Sequence, residues 1–396
     1  MTTPTFVSLF AGCGGFDLGF IQEHYQPVGA FDIDPVAASV YRQNLRGPFA
    51  IADLSDSRSP IVSGKHIDVV IAGPPCQGFS TAGRRNPDDP RNSLLLRAGE
   101  IAIVLRPRAV IIENVRGVLA GNQRRYWDGL LSLLRDAGYR ASQFVCDAAS
   151  LGTSQTRRRV VLVAWLTDRQ PDFALPVARR LNLSESIGDM PKDLPNHQPE
   201  HLPSGSRLAK IAQRIRPGQK LSNVRSSPRA VHTWDIPEVF GRTTREERVV
   251  LEALMRLRRR LRVRRGGDAD PVACSAIGSY LGFPVGGILM RLQARGYVRK
   301  VGRSYDLTHT FNGKFRRLHW DMPSPTVDTR FGDPRLFLHP DEDRGLTVRE
   351  AARIQGFDDA FVFGGSRQDQ YRLIGNAVPP PVARRLAAYV RHAILE

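Results

Sequence analysis

The sequence predicts an α/β protein: a parallel sheet with helices on both faces, and a second, smaller, strongly basic domain. Three observations predict it. Over the first 165 residues, short apolar runs rich in β-branched side chains alternate with helical stretches. The first such run passes into Phe10-Ala11-Gly12-Cys13-Gly14-Gly15, a glycine turn of the kind that joins a strand to a helix in open α/β sheets. The charge is segregated: the chain has 57 Lys+Arg against 39 Asp+Glu, a net charge of +18, and residues 151–300 hold 28 basic and 13 acidic side chains, so +15 falls there. Such a segment needs an anionic partner, nucleic acid or an acidic surface.

In chain order, the apolar runs at residues 5–10, 27–32, 67–72, 109–113 and 160–166 are expected strands. Residues 36–44 and 127–137 are expected helices between them. Residues 166–242 break into Pro-, Ser- and Arg-rich irregular stretches. Residues 243–262 read as one amphipathic helix with Val249, Val250, Leu254, Leu257 and Leu261 apolar. Residues 273–281 and 285–295, joined by Gly282-Phe283-Pro284, read as a helix-turn-helix. Residues 297–300 and 304–307 read as a hairpin around Val301-Gly302-Arg303. Residues 243–310 together look like a winged-helix module. Helices at 347–355 and 380–395 close the chain. The expected domains are 1–165, completed by 315–396, and 166–314.

Composition excludes several classes. Hydrophobic content of 41% and charged content of 24% exclude a wholly disordered or fibrous chain. Cys13, Cys76, Cys146 and Cys274 form no CxxC pair, so no zinc set is readable and no metal is expected. No run approaches 18 apolar residues, so no membrane span is expected. A soluble, cytoplasmic protein is the expectation.

Candidate chemistry collects at strand ends, where open α/β sheets bind ligands. The second strand ends in Asp32-Ile33-Asp34. An acid there can accept hydrogen bonds from ribose hydroxyls, or cap the helix that starts at Pro35, which suits Asp34. Asp53 follows the third strand position and can meet an adenine amino group. The fourth strand ends in Gly73-Pro74-Pro75-Cys76-Gln77-Gly78-Phe79-Ser80, a thiol on a proline-stiffened loop, as a nucleophile would be. The fifth ends in Glu113-Asn114-Val115. In Gln155-Thr156-Arg157-Arg158-Arg159 a strand's two-residue period puts Gln155, Arg157 and Arg159 on one face.

These motifs, with Gly375-Asn376-Ala377-Val378-Pro379 and the Arg349-Glu350-Ala351-Ala352-Arg353-Ile354-Gln355-Gly356-Phe357 helix, stand in the order found in DNA cytosine-5 methyltransferases, which the chain resembles over about 1–165 and 315–396. The resemblance implies a Rossmann-like methyltransferase sheet that takes S-adenosylmethionine and leaves S-adenosylhomocysteine. It implies a flipped-out cytosine attacked at C6 by Cys76, with Glu113 giving a proton to N3, Arg159 holding O2 and Arg157 a further catalytic residue. The cofactor pocket maps onto Phe10, Ala11, Gly12, Cys13, Gly14 and Gly15, Asp32 and Ile33, Asp53 and Leu54, Pro75, and Asn376, Ala377 and Val378. Asp32-Ile33 replaces the Glu-Trp common in the family, which shortens the acid and removes a stacking surface.

The resemblance makes residues 166–314 a target recognition region, with double-stranded DNA as partner. Expected DNA contacts are Ser80, Arg84, Arg85, Arg91 and Gln155, with Arg256, Arg259 and Arg260 on phosphates and Arg291 and Gln293 at base edges. Residues 81–97 resemble the family's mobile catalytic loop and equally suit a solvated loop. The winged helix can dock DNA, pack or dimerise. A cognate restriction endonuclease is an expected functional partner, and the expected state is a monomer. Alternatives are the family branch that methylates transfer RNA and a DNA-bound regulator on a methyltransferase body.

Overall fold

The computed structural model describes residues 3–56, 66–75, 90–168, 171, 175–264 and 267–396, with Pro90 and Arg91 described in their backbone only. The chain forms two compact units: Met1–Gln198, Trp320–Arg330 and Thr347–Glu396, and Pro199–His319 with Phe331–Leu346.

In the first unit β1 (Thr5–Leu9), β2 (Gln26–Asp32), β3 (Phe49–Ile51), β4 (Val69–Ala72) and β5 (Ala109–Val115) run parallel. Next come β6 (Arg140–Asp147), the two-residue β7 (Gln155–Thr156) and β8 (Arg158–Trp165). The sheet order is β3-β2-β1-β4-β5-β8-β6. The sheet is mixed rather than parallel, because β8 lies antiparallel to both β5 and β6. The reason is the connection: about ten residues without a crossover helix join β6 to β8, too few for a parallel return. The apolar run that fills β8 after Arg159 does not record its direction.

The alternation of each strand sends side chains to two cores. Val7, Leu9, Val70, Ile112 and Leu162 pack with residues of α3 (Leu94–Leu105) and α4 (Arg124–Asp136), including Trp127 and Leu130. Phe6, Ile71, Ile111, Val161 and Val163 face the other way, onto Phe16 and Phe20 of α1 (Gly15–Gln22). Between β2 and β3 runs α2 (Pro35–Asn44). Its start is set by Pro35 at the first turn and by Asp34, whose Oδ1 accepts from Val36 N at 2.9 Å. A short α5 (Ser184–Ile187) follows the sheet.

The second unit holds α6 (Arg207–Ala212), β9 (Lys220–Leu221), β10 (Ala230–Val231), α7 (Pro237–Phe240) and α8 (Arg245–Arg260). Thr244 and Glu247 cap α8 reciprocally. Then come β11 (Val272–Ala273), α9 (Cys274–Leu281), α10 (Gly286–Ala294), β12 (Val298–Val301), β13 (Ser304–Leu307) and β14 (Arg316–Arg317). The sheet β11-β13-β12 is antiparallel. Val250, Leu254, Leu257, Ile277, Leu289, Leu292 and Leu307 form its core with the helices. The buried stripe of α8 takes Leu251 in place of Val249 and Leu261, both of which are exposed.

Two later strands divide between the units: β15 (Ser324–Pro325) pairs with β7, and β16 (Phe337–Leu338) with β14. The chain closes in the first unit with α11 (Val348–Gln355), α12 (Arg367–Asn376) and α13 (Pro380–Val390), whose Val382, Ala383 and Leu386 join the α1 core.

Candidate active site

A cavity of about 1610 Å³ opens at the carboxyl ends of β1, β2, β4 and β5. Its first wall is the glycine turn. Phe10 and Gly12 both take left-handed backbone, with φ of 55° and 54°. For Phe10 that is a sparsely populated conformation held by its surroundings. The hold is visible: Ala11 N donates to Phe31 O at 3.0 Å, and Gly12 N donates to Asp32 Oδ2 at 2.8 Å. Asp32 Oδ1 accepts from Asp34 N at 3.0 Å. Burial pushes the Asp32 carboxyl above the usual carboxylate range, although both backbone bonds oppose the shift. At Gly12 a Cβ would meet nothing within 4 Å, so the cavity comes right up to the backbone there.

Gly14 and Gly15 do different work from that expected. A Cβ on Gly14 would stand 2.4 Å from Leu45 Cδ1, and one on Gly15 would stand 2.5 Å from the Val378 carbonyl. Both glycines permit close packing, and neither lines the cavity. Cys13 lines it but its side chain is buried, with the thiol pushed up to about 12 by desolvation, so it is inert as a nucleophile. Beneath the turn lies a residue that the sequence reading passed over. Asp17 is fully buried, accepting from Ser8 Oγ at 2.8 Å and from the Tyr41 hydroxyl at 2.9 Å, and burial raises its carboxyl to about 6.

The rest of the predicted pocket is lined by Ile33, Asp53, Leu54, Pro75, Asn376, Ala377 and Val378. Ile33 is 62% exposed, an apolar side chain left uncovered beside the cavity. Bonds from the Ser55 hydroxyl and backbone hold the Asp53 carboxyl below its ordinary range. Arg372, which the motifs did not single out, also lines the cavity and pairs with Asp34 and Asp369.

Glu113 and Arg159 meet on this cavity. Antiparallel register sets Glu113 opposite Val161 and Val115 opposite Arg159, so the two side chains are diagonal neighbours on one face. Arg159 Nε stands 2.8 Å from Glu113 Oε1, with both side chains largely buried. The next residue, Asn114, is buried and donates from Nδ2 to the Pro74 carbonyl at 3.3 Å. It thereby ties the proline loop to β5.

Two expectations need correction. Gln155 cannot contact DNA: it is fully buried, donates to Gln355 and Ile354, and accepts from Val327 N at 3.1 Å. Arg157, expected as a catalytic group, lines the cavity but turns its guanidinium to the backbone. Its guanidinium is buried and donates to the carbonyls of Val327, Gly375 and Ala377 at 3.0–3.1 Å, which positions two segments of the cavity wall. Cys76, Ser80, Arg84 and Arg85 lie outside the described residues, as does the side chain of Arg91.

The model of the family described as C-5 cytosine-specific DNA methylase matches residues 4–392. The chain belongs to that family. This methylase is 30% identical to the Type II methyltransferase M.AgeI of Thalassovita gelatinovora over 98% of its own length and 99% of the relative's. It is 28% identical to the Type II methyltransferase M.XorII of Xanthomonas oryzae pv. oryzae, over 100% and 86%. Its fold is similar to that of the Entamoeba histolytica methyltransferase EhMeth, with a TM-score of 0.54 at 14% identity over 99% of both chains.

In the second unit of this methylase, Arg256, Arg259 and Arg260 are exposed on α8, and Arg291 and Gln293 on α10. The arginine run is not uniform, however. Arg258 is buried in an ion pair with Asp306, and Arg264 pairs with Asp270. Among the described residues no helix is long and apolar enough to cross a membrane.

Proposed function

We propose that this methylase transfers a methyl group from S-adenosylmethionine to C5 of cytosine in a specific duplex DNA sequence. The observation that carries the reading is the Glu113–Arg159 pair in the same cavity as the Asp32–Gly12 cradle. The residues fit the cofactor. Gly12 leaves open space, Asp32 keeps lone pairs for ribose hydroxyls, and Ile33 offers an apolar face. Asp53, Leu54 and residues 376–378 would complete its pocket. When bound, S-adenosylmethionine supplies an electrophilic methyl group.

Pro75, which lines the cavity, precedes Cys76 in the chain. A thiolate there would bond to C6 of a cytosine swung out of the duplex. Glu113 would give a proton to N3 as negative charge develops on the ring, and Arg159 would hold O2. C5 would then take the methyl carbon as its bond to the sulfonium sulfur breaks, leaving S-adenosylhomocysteine, and N3 would return its proton to Glu113. Loss of the C5 proton and of the C6–S bond restores the aromatic ring and the free thiol.

Helices α8, α9 and α10 with the antiparallel sheet β11-β13-β12 support reading residues 243–310 as a winged helix. Arg256, Arg259 and Arg260 would meet phosphates, and Arg291 and Gln293 base edges. Ser80, Arg84, Arg85 and Arg91 would add DNA contacts, the arginines on phosphates. The Type II names of the relatives support pairing with a cognate restriction endonuclease. Bisulfite sequencing of DNA from cells expressing the chain tests the function. Methylcytosine at one recurring sequence is expected; DNA with no added methylcytosine overturns the reading.

A further inference from the structure

The second unit contains a smaller cavity, of about 370 Å³, whose chemistry the methyl-transfer site does not use. Arg256 and Arg259, one turn apart on α8, line it with Arg225, Ser226, His232 and Glu252. The His232 ring is fixed: Nδ1 donates to the Ser222 carbonyl at 2.6 Å and the ring stacks on Trp234 with centroids 4.5 Å apart. Arg256 has no ion-pair partner among the described residues. Positive charge is crowded nearby. Burial and the neighbouring Arg316, Arg225 and Arg229 hold the Lys220 amine below its ordinary range.

Two carboxylates stand in this crowd: Glu252, which lines the cavity, and Asp268, which lies against two of its arginines. Asp268 meets Arg225 through both oxygens, Oδ2 at 2.8 Å from Nε and Oδ1 on Nη2, and Arg259 Nη2 stands 3.6 Å from Oδ1. A forked guanidinium on two oxygens with a second arginine beside it is the geometry of arginine-bound phosphate as well as of carboxylate. Asp268 is more than half exposed, so an outside anion can reach its place. The pair therefore gains little stability from burial.

We propose that Arg225, Arg256 and Arg259, which line this cavity, take a phosphodiester group of the DNA backbone, and that Asp268 occupies Arg225 and Arg259 until DNA binds. The proposal rests on the duplex-DNA reading above and adds a regulated contact to it. Arg225 and Arg259 exchange one anion for another, while Arg256 gains a partner. Asp268 thereby lowers affinity for any sequence without touching the bases that specify the site.

The test uses the full chain, duplex DNA lacking the target sequence, and anisotropy titrations over a range of salt. One phosphate contact contributes a salt slope of about 0.9, or about eightfold in affinity between 1 M and 0.1 M salt. Arg256→Ala is expected to flatten the slope by about one and to weaken binding at 0.1 M by up to about eightfold. Asp268→Asn is expected to tighten binding at 0.1 M by several-fold, within the same bound, and to leave the methylated sequence unchanged. Both side chains are exposed, so both variants should melt with the wild type. Asp268→Asn binding no better than wild type, or Arg256→Ala keeping the wild-type slope, overturns the proposal while wild-type binding and methylation stand. A wild-type chain that binds no duplex overturns the DNA reading itself.

Discussion

Asp17→Asn replaces a carboxyl that is fully buried beneath the glycine turn and held by Ser8 and Tyr41. Folded, that carboxyl keeps its proton up to about pH 6, because burial disfavours the charged form more than the two hydroxyls favour it. Unfolded, it ionises near 3.8. Between those values the folded chain binds more protons than the unfolded one. The contribution to stability is therefore full below about pH 4 and is lost as pH rises through 6. A gap from 3.8 to about 6, at about 1.4 kcal/mol per pH unit, amounts to about 3 kcal/mol. Asn cannot titrate. It can accept from one hydroxyl, and the other must turn to accept from its amide, a cost of about 1 kcal/mol at every pH. Urea unfolding of both proteins from pH 4 to pH 8 measures the difference, in which the other titrating groups cancel. The variant is expected to be less stable by about 0.5 kcal/mol at pH 4, where the unfolded carboxyl is already partly ionised, and more stable by about 2 kcal/mol at pH 7. A difference that stays constant across the range would refute the reasoning.

Glu113→Gln keeps the shape of the Arg159 partner but cannot supply the proton, so methylation should fall by roughly 10²–10⁴-fold while cofactor affinity holds. Calorimetry showing the reverse pattern would reassign the roles. Asp32→Ala removes the acceptor for both Gly12 N and Asp34 N as well as the ribose contact. S-adenosylmethionine should then bind about ten- to a hundredfold more weakly; unchanged affinity would move the ribose contact elsewhere. Arg291→Ala or Gln293→Ala should relax base preference at particular positions of the site, by about 1–3 kcal/mol each, in competition binding against single-base variants. A uniform loss over all sequences would make them phosphate contacts.

The parts of the site legible in the sequence are those that lie at the end of a strand. The glycine turn, Asp32 and Glu113 each sit where an apolar run stops, Arg159 sits where one starts, and period two alone puts Arg159 on an odd-numbered face. What was not legible depends on distant chain. Arg157 and Gln155 share that face by spacing, yet both are consumed by the backbone near Val327 and by residues 354–377, about 170–220 positions away. No local pattern separates a basic side chain that meets substrate from one that braces a wall. Strand direction was lost for a related reason: an apolar run records burial, not polarity of the chain. β6, half exposed along its length, has neither a continuous apolar run nor strict alternation to mark it. Asp17 was hidden by its own setting, since a lone acid after a glycine turn reads as a helix-start residue.

The covalent step is the centre of the account, and a duplex carrying 5-fluorocytosine at the target position tests it directly. Fluorine cannot leave C5 as a proton does, so Cys76 should stay bonded to C6 once the methyl group has transferred. With S-adenosylmethionine present, wild-type protein is expected to form a complex with this DNA that survives denaturation, and Cys76→Ser to form none while still binding the duplex. Methylation of the ordinary site at a normal rate with no such complex on the fluorinated one would contradict the mechanism.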